Sequence, residues 1–204
     1  MTTLCYARGT AALAPHILLE DAGADYETRL VDFSADEQRS PFYLAINPKG
    51  RVPALITESG VLTETPAILA YIAQTHPDAN LAPSDPFGFA EAQAFNLYLA
   101  ATVHVAHAHK QRGSRWTDDK AAQETMSAKV TETMTACART LEENYLKGPF
   151  VLGDTYSMCD PYLFVITRWM RADGVNVDAF PKITTHFASM QQRASVQNVM
   201  RMHT

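Results

Sequence analysis

Residues 47–66, Asn-Pro-Lys-Gly-Arg-Val-Pro-Ala-Leu-Ile-Thr-Glu-Ser-Gly-Val-Leu-Thr-Glu-Thr-Pro, constrain the fold of this chain more than any other segment. They predict a turn, a short strand, a tight turn, a second short strand and the start of a helix. Asn47-Pro48 and Lys49-Gly50 are turn dipeptides. Residues 54–57 and 61–63 are short apolar runs with β-branched members, as strands require. Ser59-Gly60 between them supplies the positive φ of a hairpin turn. Pro66 suits the first turn of a helix, where its missing N–H has no acceptor to lose. Thr65 before it is pushed out of the α region, into the conformation of an N-cap.

The same stretch exposes specific chemistry. Val52 precedes Pro53, so its N–H and C=O are expected at a bend, free to pair with a peptide-like ligand as an added strand. The helix N-terminus that follows offers unpaired N–H groups and a partial positive charge, which suit a carboxylate. Glu64 beside it suits an ammonium. Together these features grip a small zwitterionic peptide. A plain turn at Pro53 is the simpler alternative, and the valine before it and hairpin after it favour a cis bond.

The 204 residues allow one large domain or two small ones. With 47% hydrophobic and 19% charged residues the chain is an ordinary globular protein. Its net charge of -5 argues against nucleic acid or an anionic membrane as the main partner. No apolar run reaches membrane-spanning length. The N-terminus runs straight into a strand pattern with no signal core. Three widely spaced cysteines, Cys5, Cys137 and Cys159, fit neither a disulfide framework nor a zinc site. A cytoplasmic protein with reduced thiols is expected.

Taken in order, residues 3–7 predict a first strand, 12–23 a helix capped by Gly23, and 26–31 a second strand. That is a βαβ unit with parallel strands. A polar loop (32–40) and a short helix (41–46) lead into the 47–66 hairpin, and residues 66–75 form the next helix. Residues 77–88 carry prolines and turn formers and read as a linker. The expected division is therefore domain 1–76, linker 77–88 and an all-helical domain 89–204. In the latter, helices are predicted over 89–112 and 118–146, the second with a stripe at Ala122, Met126, Val130, Met134, Cys137, Leu141 and Tyr145. Ser157-Met158-Cys159-Asp160 is a capping-box start for a central apolar helix through 171. One or two further helices fall in 180–202.

The order βαβ, ββα, all-helical domain resembles the glutathione transferase family, most closely its bacterial beta class. The motifs that carry the resemblance are Ala14-Pro15-His16, Leu44-Ala45-Ile46-Asn47-Pro48-Lys49-Gly50, Val52-Pro53-Ala54-Leu55, Leu62-Thr63-Glu64-Thr65-Pro66-Ala67-Ile68, and Ser157-Met158-Cys159-Asp160-Pro161-Tyr162-Leu163-Phe164. The resemblance implies an α/β plus all-α protein, a thioredoxin-like domain followed by a helical bundle. It also implies glutathione as co-substrate, no metal, a small electrophile as second substrate and a homodimer. Pro53 should follow a cis bond, with the Val52 backbone pairing with the cysteinyl unit of glutathione. Glu64 and Thr65 should hold the γ-glutamyl head group, and Lys49 or Arg51 the glycyl carboxylate.

One departure stands out. The beta-class pattern places a cysteine-serine pair just before Leu-Ala-Pro-His, and here that pair is Ala11-Ala12. The thiol of glutathione, with a pKa near 8.5, still needs a group that favours the thiolate. Three candidates remain: Thr10, Tyr6 and His104. Thr10 with the helix dipole, assisted by His104, is favoured, because the dipole alone supplies only about 0.3–1 kcal/mol. Arg8, His107 and Trp116 are placed at the second-substrate pocket. The plainer roles are a cap for Thr10, core packing for Tyr6, Trp116 and Trp169, neutral core imidazoles for His104 and His107, and inert burial for Cys5 and Cys159. A metal at His104 and His107 lacks an accompanying carboxylate or cysteine. The expected function is glutathione transfer to small electrophiles, with glutathione-dependent peroxide or disulfide reduction as a variant. The alternative is a glutathione- or hydrophobic-ligand-binding protein with little catalysis. An interaction module without glutathione is disfavoured by Val52-Pro53 and Glu64-Thr65.

Overall fold

A computed structural model describes residues 2–203 of the chain. Two compact units make it up. One runs to Phe89 and resumes at Gln191, and the other is Ala90–Met190.

The first unit is built on a four-stranded sheet ordered β2-β1-β3-β4. β1 (Thr2–Tyr6) leads through a turn into α1 (Leu13–Asp21) and back to β2 (Tyr26–Leu30). β1 and β2 are parallel, with Thr2 opposite Tyr26 and Tyr6 opposite Leu30. α2 (Pro41–Ile46) is capped by Ser40, whose hydroxyl accepts from Tyr43 N. β3 (Ala54–Thr57) and β4 (Gly60–Thr63) form the antiparallel hairpin, and α3 (Thr65–Thr75) follows. This is the thioredoxin-like arrangement expected. In the hairpin the corner residues are Glu58 and Ser59, while Gly60, at φ +130°, already pairs with Thr57. Glycine is required there because a side chain disfavours that φ. Ile68, Leu69 and Ile72 of α3 are buried as their spacing predicts.

The last helix belongs to this unit as well. The sequence places all of 89–204 in one helical domain, but α9 (Ala194–His203) groups with the residues up to Phe89. It docks on α1: His16 Nδ1 lies 3.0 Å from His203 Nε2, and both side chains are buried. Arg193 also reaches Asp21 of α1 at 2.8 Å. Sequence periodicity predicts a helix but not the surface it docks on.

That histidine pair has a measurable consequence. One imidazole must donate and the other accept, so the contact needs a neutral acceptor nitrogen. Burial pushes the His16 pKa down to about 4 from 6.5, against an opposing pull from Glu20. The unfolded chain therefore binds more protons than the folded one between these two values. His16 leaves stability intact above about pH 6.5, and its contribution is lost as pH falls towards 4, by on the order of 3 kcal/mol in all. Urea midpoints measured between pH 7 and 4 should fall more steeply for the native protein than for His16→Gln. Parallel profiles would contradict this.

The second unit is helical. Asp85 Oδ1 accepts from Gly88 N at 2.8 Å, so α4 (Pro86–Tyr98) starts inside the segment expected to be linker, with proline in its first turn. A π-helical segment, Leu99–Val103, then shifts the register before α5 (His104–Ala108). The helix expected over 89–112 is thus one interrupted run. α6 (Lys120–Thr140) is capped by Asp119, whose carboxylate accepts from Ala121 N at 2.9 Å. It buries Val130, Met134, Cys137 and Ala138, the middle three members of the expected stripe plus one neighbour. α7 (Asp160–Ala172) is almost wholly buried through Met170, and α8 (Pro181–Gln192) follows. Among the described residues, no helix is long and apolar enough to cross a membrane.

Candidate functional site

Register brings the expected site residues of the first unit to one edge of the sheet. Cys5 of β1 lies opposite Ala54 of β3, and Ala54 lies opposite Thr63 of β4. The end of β1, the start of β3 and the end of β4 are therefore level. α1 and α3 both begin beyond this edge, which they share with Val52 and Pro53; the first N–H groups of α1 are already paired, Leu13 N with Thr10 O and Ala14 N with Ala11 O, whereas those at the start of α3 have no acceptor within the helix.

The loop before β3 is held from beneath. Asn47 and Tyr43 are buried, and both donate to the Arg51 carbonyl at 2.7 Å, through Nδ2 and the phenol respectively. Asn47 Oδ1 also accepts from Lys49 N. Gly50 sits at φ +59°, and a Cβ there would come 3.0 Å from the Gln38 carbonyl. The Val52-Pro53 bond is cis. Val52 makes no backbone hydrogen bond among the described residues, so its N–H and C=O remain available beside the sheet. Sequence reasoning misses Tyr43; its only signal is an aromatic residue in a short helix before the turn.

At the start of α3, Thr65 is buried and its hydroxyl has no partner among the described residues. Glu64 adopts φ +71° and ψ 121°, a conformation that costs a non-glycine residue about 1–3 kcal/mol. Its carboxylate is exposed and meets Lys49 Nζ at 2.5 Å, and Lys49 also donates to Thr63 Oγ1 at 2.7 Å. Arg51 is exposed and forms no ion pair among the described residues. The two cations left open by sequence thus differ: Lys49 is occupied and Arg51 is free.

The β1–α1 turn carries Arg8, Gly9 and Thr10. Arg8 is exposed, with Nε 3.4 Å from the Met202 carbonyl of α9. Thr10 is part-buried; its hydroxyl donates to Ala7 O at 2.7 Å and sits 3.4 Å from Ala12 N. It acts on the turn before α1, while the position next to the helix, Ala12, has no side-chain cap. The N–H groups of Thr10 and Ala11 find no acceptor among the described residues. Tyr6 is buried, its ring packed against His16 and His203. Cys5 is buried too, and burial raises its thiol pKa.

His104, His107 and Trp116 lie in the second unit. His104 and His107 both contact the Trp169 ring, His107 in a parallel stack. His107 Nδ1 is 2.7 Å from Asp173 Oδ2. Trp116 is exposed and packs on His109. Cys159 is fully buried, which raises its pKa far above the thiol range.

Residues 2–74 match the sequence profile described as glutathione S-transferase, N-terminal domain. Over 195 residues the chain is 30% identical to Glutathione S-transferase GST-4.5 of Xanthomonas campestris pv. campestris, covering 95% of this chain and 94% of that one. Over 189 residues it is 29% identical to a maleylacetoacetate isomerase of Pseudomonas aeruginosa, covering 90% and 87%. Its fold matches, at a TM-score of 0.96 and 50% identity, the crystal structure of a glutathione transferase homolog from Sulfitobacter with bound glutathione, covering 99% and 98%.

Proposed function

The chain belongs to the glutathione S-transferase family, and from that premise we propose that it conjugates glutathione to small electrophilic substrates. The supporting observation is the shared sheet edge, where an unpaired Val52 backbone, a free Thr65 hydroxyl at a helix N-terminus and the Glu64 carboxylate stand together. In this proposal Val52 and Pro53 take the cysteinyl backbone, and Thr65 takes the γ-glutamyl carboxylate. Glu64 exchanges Lys49 for the ligand's ammonium. Arg51, the unoccupied cation, takes the glycyl carboxylate, and Lys49 stays with Thr63. Arg8, His107 and Trp116 are assigned to the second-substrate pocket. The same proposal makes the protein a homodimer in the cytoplasm, which a solution mass of two chains supports and a mass of one contradicts.

Activation of the thiol falls to Thr10 and His104. The Thr10 hydroxyl turns from Ala7 O towards the sulfur, joined by the free N–H groups of Thr10 and Ala11. Thr10→Ala is expected to lower kcat/KM for a generic aryl halide about tenfold, or ~1.4 kcal/mol of transition-state stabilisation. Thr10→Ser should keep most of the rate. His104→Ala is expected to lower it by a similar factor. If neither alanine variant slows turnover more than about twofold, the assignment fails.

A second function is favoured by one observation. The hydroxyl hydrogen of Thr10 is given to Ala7 O, and Ala11-Ala12 supply no other side-chain donor. A protein that binds glutathione without activating it would look the same at this turn. Absence of turnover with aryl halide, peroxide and disulfide alike, with glutathione still bound, selects that function.

A further inference from the structure

The last turn of α9 brackets the turn that carries Arg8, Gly9 and Thr10. On one flank of that turn Tyr6 ends β1, and on the other His16 stands in α1. The His203 ring packs on Tyr6 with centroids 4.8 Å apart, and its Nε2 lies 3.0 Å from His16 Nδ1. Tyr6 and His16 are themselves in ring contact at 5.6 Å, so the three rings close on one another. Met202, one residue earlier, accepts from Arg8 Nε through its carbonyl. Met202 and His203 together therefore touch the turn and the elements on both sides of it. All of these residues belong to the first compact unit.

Packing alone does not call for these contacts. Val196 and Val199 already bury an apolar face of α9, and Arg193 ties its start to Asp21. A bond between two imidazoles is directional, one ring donating and the other accepting, so it fixes ring orientation in a way that apolar contact does not. The Arg8 guanidinium stands at the C-terminal end of α9, where the partial negative charge of the helix favours a cation. Inside the turn the bonds are local: Thr10 Oγ1 donates to Ala7 O, and Leu13 N donates to Thr10 O. They give the turn its shape but do not fix where it stands at the sheet edge. That position matters, because a misplacement of about 1 Å in a reacting group can cost on the order of 100-fold in rate.

We propose that His203 is a positioning residue for thiol activation: with Met202 it holds the Arg8–Thr10 turn where the Thr10 hydroxyl and the Thr10 and Ala11 N–H groups meet the glutathione sulfur. This rests on the conjugation function above and deepens its account of the thiol. His203 touches no substrate. It acts through Tyr6 and His16, and Met202 acts through Arg8. The thiol releases its proton to water, and the donors of the turn stabilise the thiolate that remains. The two tasks are then separate in the structure. Residues 47–66 hold the peptide, and the end of α9 sets the donors that ionise it. Loosening that end should raise the thiol pKa and leave the grip on glutathione intact.

The test titrates the thiol of bound glutathione, followed by the ultraviolet absorbance of the thiolate, in the native protein, His203→Ala and His203→Gln. Calorimetry gives the glutathione affinity at about pH 5.5, where the thiol stays protonated. In His203→Ala the thiol pKa should rise by about one unit, a tenfold loss of thiolate at neutral pH. Turnover of an aryl halide at that pH should fall in step, while affinity stays within about twofold of native. His203→Gln, whose amide can still bond His16, should recover part of the shift. An unmoved thiol pKa in His203→Ala overturns the proposal. So does lost affinity with the thiol pKa unchanged, which assigns the end of α9 to scaffolding. Where His203→Ala does not fold, Arg8→Lys decides: it keeps the charge at an exposed side chain and loses the Nε contact with Met202, and a native thiol pKa in it overturns the proposal. A low thiol pKa in the native protein that no variant moves removes this inference and leaves conjugation standing. A native protein that binds glutathione but leaves its thiol near the free value of about 8.5 removes both.

Discussion

Asp160→Ala is expected to lower the unfolding free energy by about 3–5 kcal/mol, the largest effect expected of any single substitution in this chain's buried network. Asp160 is fully buried and accepts four hydrogen bonds: from Val151 N at 2.9 Å, Ser157 N at 2.7 Å, Ser157 Oγ at 3.1 Å and His186 Nε2 at 3.0 Å. His186 is equally buried. Removing the carboxylate leaves two backbone N–H groups, a hydroxyl and an imidazole without their acceptor, and none can reach water without opening the start of α7. An unsatisfied buried polar group costs about 1–3 kcal/mol. The loss is not a simple sum, because the four donors share one carboxylate and relax together once it is gone. Asp160→Asn keeps an acceptor oxygen but turns an NH2 towards a donor, so an intermediate loss is expected. Guanidinium unfolding measures both. A lower midpoint with an unchanged slope is the expected result, and a loss under about 1 kcal/mol for the alanine variant would sink the claim.

The second large effect is on the ligand. Thr65→Ala removes a hydroxyl that already lies free at the start of α3, and should weaken glutathione binding about tenfold. Glu64→Ala removes a charge-assisted contact worth about 1.5–3 kcal/mol, or roughly 10–100-fold. Part of that is offset, because in the free protein Glu64 is engaged with Lys49 in an exposed pair worth at most about 1 kcal/mol. Glu64→Gly separates binding from backbone strain. It relieves the positive φ and should hold or raise stability while weakening binding as much as alanine does. Calorimetric titration reads the affinities and thermal unfolding the stabilities. Equal affinities for the native and Glu64 proteins would place the head group elsewhere.

Much of this is legible in the chain because the signals are local. Proline at a helix start, glycine beside a two-residue turn, the strand–helix–strand spacing and Ser157 to Asp160 each act within a few residues. So the hairpin, the level start of α3 and the cap of α7 follow from residue order. What is not legible depends on contacts between distant residues. Tyr43 and Asn47 meet under the Arg51 carbonyl, and Lys49 reaches fifteen positions ahead to Glu64. His107 finds Asp173 sixty-six positions away, and His16 finds His203 at 187. The start of α4 at Pro86 is in principle readable, since Asp85-Pro86 is an N-cap and first-turn pair. The density of prolines around it masks that signal. The π-helical segment before His104 has no period in the sequence to announce it, and it sets which way the histidines that follow it turn.

The central claim is that residues 47–66 hold glutathione. Isothermal titration of the native protein with glutathione, alongside Thr65→Ala, tests it most directly. Saturable binding at one site per chain, weakened about tenfold by the substitution, is the predicted result. No binding, or binding of equal strength in both proteins, would contradict it.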